Sequence, residues 1–151
     1  MLKKIFFTIL FFNLLNHCDY KPVYSDKNKV NHKIIITSFT GDKDINNFIA
    51  TALKRNSKVN SNNILEVSFD TKYSKVVLAK NSAGAITDYQ ASVITTFTIE
   101  KGNNSENFLV NDKFNFKKMA DKYEEKNYEQ NIKKNLANSI TQKLLLRLTL
   151  N

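Results

Sequence analysis

Three stretches in the middle of the chain place apolar side chains at every second position, and the closing stretch places them at every fourth. Few folds accommodate both patterns. ILEVSFDTKYSKVV sets Leu65, Val67, Phe69 and Tyr73 against Glu66, Ser68, Asp70 and Lys72. YQASVITTFTIEK continues through Tyr89, Ala91, Val93, Thr95, Phe97 and Ile99, and NFLVNDKFNFKKM through Phe108, Val110, Phe114 and Phe116. Successive strand side chains point to opposite faces, so each stretch predicts a strand with one dry and one wet side. The turn signals KNSAGAITD and GNNSE separate them and favour antiparallel pairing as a meander.

Before the meander, KIIITSF is a compact β-branched run, which predicts a buried strand from Lys33 to Phe39. The period then changes. Ile45, Phe48, Ile49, Ala52 and Leu53 follow helical spacing, with Asp42 as N-cap and Asp44 near the positive end of the helix dipole. In the closing stretch Ile132, Leu136, Ile140 and Leu144 mark a helix of about twenty-five residues or more, and Asp121 with Glu124 resembles a capping box. A strand, a helix and a second strand favour a parallel, right-handed crossover. The predicted fold is therefore α+β, a two-layer α/β sandwich of order β-α-β-β-β-α, with two helices on one face of a mixed four-stranded sheet. No internal repeat is visible.

The N-terminus has a different character. Lys3 and Lys4 lead an apolar run from Ile5 to Leu15, broken by Thr8 and Asn13. At about 1.5 Å per residue this run reaches roughly half of a ~30 Å hydrocarbon core, so it reads as a signal peptide over residues 1–17 rather than a spanning helix. The chain's single cysteine, Cys18, follows directly. One cysteine closes no internal disulfide; Leu15, three residues earlier, fits a bacterial lipoprotein signal, in which the thiol takes diacylglycerol and becomes the acylated first residue. Asn16 and His17 are larger than the usual residues at their positions, which leaves a plain signal peptide or an uncleaved anchor as alternatives. Residues 18–32 read as a lipidated N-terminus and extended tether, since Pro22 holds Lys21 extended, and residues 33–151 as a single domain.

Composition narrows the chemistry. Hydrophobic residues are 42% and charged residues 25%, as in an ordinary folded domain. The net charge of +9 falls to +7 without Lys3 and Lys4, and only Arg55 and Arg147 of the 23 basic residues are arginine. Lysine lacks the planar fork that reads phosphate or base edges bidentately, so nucleic acid is not an expected partner. The basic balance reflects either a functional surface or the drift of an AT-rich genome. Outside the signal there is one histidine, His32, which reads as a solvated tether residue, so no Cys/His metal cage and no Cys–His dyad is available. Gly41, Gly84 and Gly102 are too scattered for a phosphate loop. Glu66, Asp70, Asp88 and Glu100 have no defined pairing and read as solvated strand positions. No enzyme, metal or cofactor is expected. Tyr20, Tyr24, Tyr123 and Tyr128 suit either an interface or a bland surface rim.

In CDYKPVY, Tyr20, Pro22 and Tyr24 follow Cys18 as an aromatic, a proline and a tyrosine. ITDYQASVITTFTI and MADKYEEKNYEQNIKKNLANSITQKLLLRL supply the middle strand and closing helix. Together these resemble the lipopolysaccharide-assembly lipoprotein family LptE in its alphaproteobacterial form. The resemblance implies a non-enzymatic outer-membrane lipoprotein that plugs and helps assemble a large β-barrel, LptD, and assists lipopolysaccharide transport to the cell surface. It also implies a lipopolysaccharide contact. Lys72, Lys75 and Lys80, taken to flank the loop between the second and third strands, are the candidates, with simple solvated loop charge as the alternative. Asp19 after the cysteine departs from the pattern, since in enteric bacteria it tends to retain a lipoprotein in the inner membrane. The competing readings are a periplasmic, lipid-anchored binding lipoprotein without a barrel partner and a hydrolase using unplaced carboxylates.

Overall fold

The computed structural model of the protein describes residues 30–150. The expected signal peptide over residues 1–17, the expected lipidation site Cys18 and the expected tether as far as residue 29 lie outside the described residues. The element order is β1 (Lys33–Gly41), α1 (Lys43–Asn56), β2 (Ile64–Lys80), β3 (Ile86–Lys101), β4 (Asn104–Lys117) and α2 (Lys122–Leu150). The strands form one mixed sheet in chain order, β1 parallel to β2 and the remaining pairs antiparallel. Both helices lie on one face, so the predicted two-layer α+β sandwich is the observed fold.

The register explains the core. Phe39, Phe69, Phe97 and Phe108 lie opposite one another across all four strands. The rings of Phe39 and Phe69 stack at 5.4 Å and those of Phe69 and Phe97 meet at 5.5 Å. Beneath the helices, Val67, Ala91 and Val93 are buried against Ile45, Ile49 and Leu53 of α1 and against Ile132, Leu136, Ile140 and Leu144 of α2. Each such large aliphatic group removed from water contributes about 1.5–3 kcal/mol. Every position of the helical spacing in α2 is thus occupied by core.

Capping follows the sequence closely. The Asp42 carboxylate accepts the Ile45 N–H at 3.0 Å, and Asp121 Oδ1 accepts the N–H groups of Tyr123 and Glu124 at 2.7 and 2.8 Å. Gly41 joins β1 to α1 at φ +96°, where an added Cβ would collide with the Thr71 carbonyl oxygen. That carbonyl accepts the Asp42 N–H at 3.0 Å, so the tight approach fixes the strand-to-helix turn.

One expectation needs correction, and one contact lies ahead of β1. β1 is an edge strand with only Ile34 fully buried, because a sheet ordered as the chain leaves the first strand's outer side unpaired; its β-branched run signals strand, not two-sided burial. Residues 30–32, ahead of β1, also contact the body. Val30 is 1% exposed, the Asn31 carbonyl accepts the Ser61 hydroxyl at 2.8 Å, and the His32 carbonyl accepts the Lys58 N–H at 3.0 Å.

Candidate functional site: a hairpin tip and an uncovered sheet face

β2 and β3 run on beyond the helices and close through the turn Asn81–Ala85. The Asn81 side chain builds this turn: its Oδ1 accepts Ala83 N–H at 3.1 Å and Ala85 N–H at 2.9 Å, while Gly84 takes φ +80°. Just before the turn, Val76, Val77 and Leu78 are 51%, 45% and 49% exposed. Three consecutive apolar residues cannot all face one side of a strand, and here no helix lies over them. Lys80 ends β2, whereas Lys117 ends β4 and Lys118 follows it on the far side of Ile86–Asp88. Lys80 pairs with Ile86, Lys117 with Asp88, and the Lys118 N–H donates to the Thr87 carbonyl at 2.8 Å. The tip therefore combines exposed aliphatic surface with lysines from two strands.

The three lysines singled out in the sequence do not converge. Lys72 stands in mid-strand opposite Ile94, on the face away from the helices, about 26 Å of strand from Lys80. Lys75 points to the helix face, where its Nζ lies 2.9 Å from both Glu125 Oε1 and Glu129 Oε2 and 4.3 Å from the centre of the Tyr89 ring. Burial alone would lower its pKa, but the bonds to Glu125 and Glu129 outweigh burial and raise it. Lys80 alone occupies the tip. Period-2 parity could have separated Lys72 from Lys75; Lys117 and Lys118 were missed because only sheet order brings them to Lys80.

A second ionic group lies beside the first. Lys133 of α2 bonds Asp42 Oδ2 at 2.9 Å and Asp44 Oδ2 at 3.3 Å, and its Nζ sits 4.6 Å from the centre of the Tyr73 ring. The Tyr73 hydroxyl donates to Glu129 Oε1 at 2.7 Å, and burial together with Glu129 raises its pKa. The Lys133 bonds tie α2 to the start of α1, and the Tyr73 and Lys75 bonds clamp its polar half to the sheet. They leave Lys75 engaged in structure rather than offered to a ligand.

The sheet face opposite the helices carries neutral cross-strand pairs. Ser74 and Ser92 hydroxyls meet at 2.8 Å, Gln90 Nε2 donates to Asn115 Oδ1 at 2.9 Å, and Thr98 Oγ1 to Asn107 Oδ1 at 2.8 Å. Ile94 and Leu109 stand exposed among them. The face is amide- and hydroxyl-rich with isolated apolar points, a surface suited to a partly wet contact.

At the other end of the molecule, His32 is half-buried rather than solvated. Its Nδ1 is buried without a hydrogen-bond partner among the described residues. Burial, followed by the positive charge of Lys101, lowers its pKa. Among the described residues no group of three or more His, Cys, Asp or Glu is spaced to hold a metal ion, and no helix is long and apolar enough to cross a membrane.

No protein-family model matches the chain, and no curated protein matches it in sequence. Solved structures do match in fold. The rare lipoprotein B from Shewanella oneidensis superposes with a TM-score of 0.53 at 13% identity, over 73% of this chain and 93% of that one. A candidate lipoprotein from Caulobacter crescentus gives 0.51 at 8% identity, over 81% and 90%. At such identities the likeness is one of fold.

Proposed function

We propose that this chain is a lipid-anchored outer-membrane lipoprotein of the LptE kind. In this reading Cys18 carries the acyl groups, the domain docks as a plug inside an LptD-type β-barrel, and the hairpin tip assists lipopolysaccharide transport. It is a binding and assembly subunit, not an enzyme. The observation that carries the reading is the tip itself, where half-exposed Val76, Val77 and Leu78 lie beside Lys80, Lys117 and Lys118. Lipopolysaccharide offers the complementary chemistry, acyl chains next to phosphates. Each lysine near such an anionic surface contributes roughly 1 kcal/mol. The outer sheet face, with its cross-strand hydroxyl and amide pairs among charged residues such as Lys72, supports docking against a polar barrel wall, and the lipoproteins that share the fold support the anchored setting.

The test is lipopolysaccharide binding at low salt by the chain carrying Lys80→Ser, Lys117→Ser and Lys118→Ser. The expected result is at least about a tenfold loss, with Lys72→Ser unchanged as control. Equal binding by the triple variant would remove the tip from the account.

A further inference from the structure

The sandwich has two poles. At one, β2 and β3 close through the hairpin turn; at the other stand the first residues of β1, β2 and β4 and the last residues of β3 and of both helices. Ile64 and Lys80, the two ends of β2, lie roughly 50 Å apart along the strand. Residues 1–29 join the body at the second pole, through buried Val30.

That pole gathers cations. Lys33 opens β1, where its N–H donates to the Asn63 carbonyl at 2.8 Å, and Lys54 and Arg55 fill the last turn of α1. The Lys58 N–H donates to the His32 carbonyl, and Lys101 ends β3 beside His32. Lys54, Arg55, Lys58 and Lys101 are exposed, and among the described residues none of the five cations makes an ion pair. The acids of this pole leave it net positive: Glu106 is held by Arg147, and Glu66 and Glu100 stand opposite each other on the sheet face away from the helices. Between α1 and β2, Val59 is 76% exposed, more than any other large apolar side chain among the described residues. One exposed valine is ordinary on any surface. Set among cations at the pole where the chain enters, it completes the pairing that seats a protein on an anionic bilayer, with charge for the phosphates and an apolar group for the headgroup boundary.

We propose that this pole is a membrane-facing surface, on which Val59 enters the headgroup region of an anionic phospholipid bilayer while Lys33, Lys54, Arg55, Lys58 and Lys101 meet its phosphates. The hairpin tip also carries lysines and aliphatic residues, but the chain enters the body at the opposite end, so the tip points away from the bilayer. The inference rests on the anchored-lipoprotein reading for what brings the chain to a membrane, and adds which end of the domain lies down on it.

The sequence contains no tryptophan, so a single introduced one reports its own position. Val59→Trp and Ala83→Trp place it at the two poles with the same intrinsic preference for a membrane interface. Each full chain is purified from membranes into nanodiscs of phosphatidylcholine alone or mixed with phosphatidylglycerol, with lipids brominated near the headgroup as quencher. Val59→Trp is expected to be quenched at least about threefold more in the anionic nanodisc, and the excess to vanish at high salt or when the five cations are changed to Ser. Ala83→Trp is expected to stay unquenched in both. Equal quenching of Val59→Trp in the two lipids, or quenching of Ala83→Trp in its place, would overturn the proposal, and neither readout needs the five-site variant to fold. The mass of the Cys18 peptide from the same sample shows separately whether the anchor is present, so a missing anchor and a wrongly assigned pole give different results.

Discussion

The Lys75 ammonium lies 2.9 Å from the Glu129 carboxylate, joining the middle of β2 to the second turn of α2 across 54 residues of sequence. Both side chains are 23% exposed, so the pair is neither a screened surface contact nor a dry buried one. Removing one partner strands the other in a poorly solvated place.

Lys75→Met is therefore predicted to destabilise the domain by about 2 kcal/mol, the scale of a charged group left without its hydrogen bonds. Lys72→Met, on the exposed face, is predicted to stay within about 0.5 kcal/mol. Urea unfolding of both variants checks this. Equal midpoints would remove the clamp from the stability account.

The same clamp sets an acid limit. Glu125 is held below the ordinary glutamate value mainly by the Lys75 hydrogen bond. For Glu129 burial acts upward, but the bonds from Lys75 and Tyr73 outweigh it and the net shift is also downward. Depressed carboxylates contribute stability that is complete above their unfolded value of about 4.5 and is lost as pH falls through their lower folded values. Lys75 and Lys133 are raised, so their share is complete below 10.5 and is lost only as pH rises through their folded values above it. The predicted profile is a plateau from about pH 7 to 10; below it His32, whose folded value is lowered from 6.5, begins an acid decline, and the carboxylates steepen it below about pH 4.5. Glu129→Gln should flatten that decline in thermal scans from pH 2 to 8; parallel curves would contradict the assignment.

Glycine positions separate strain from freedom. Gly41→Ala meets both a positive φ and the Thr71 carbonyl, and is predicted to cost at least about 3 kcal/mol. Gly84→Ala also sits at positive φ, but nothing lies within 4 Å of the added Cβ, so about 1 kcal/mol is expected. Chemical denaturation of the two variants decides whether the β1-to-α1 turn is as tight as described.

In the core, Leu144→Ala removes a fully buried side chain from the α2 stripe and is predicted to cost about 2–5 kcal/mol. Val77→Ser at the hairpin tip is predicted to cost less than about 1 kcal/mol while weakening glycolipid binding. The two variants separate loss of fold from loss of the binding surface, read by calorimetry and by lipopolysaccharide titration.

Much of this fold was legible because burial in a sandwich is periodic. The Leu65–Val67–Phe69 alternation and the Ile132–Leu136–Ile140–Leu144 spacing each name the face that packs, and the caps at Asp42 and Asp121 mark where helices begin. Sheet order was harder to see. Nothing in KIIITSF says that its outer side stays unpaired, and nothing local says that Lys117 will stand across β3 from Lys80. His32 reads as a tether residue until Lys101 and the last turns of α2 are brought beside it. Long-range register, not local propensity, decided each of these.

Anchoring and barrel docking meet in a single measurement. The chain, tagged at its C-terminus and drawn from membranes in mild detergent, should bring down a large β-barrel in equal amount, and its N-terminal peptide should have the mass of an acylated Cys18. An acylated chain without a barrel would contradict the assembly role, and an unmodified Cys18 would contradict the anchor itself.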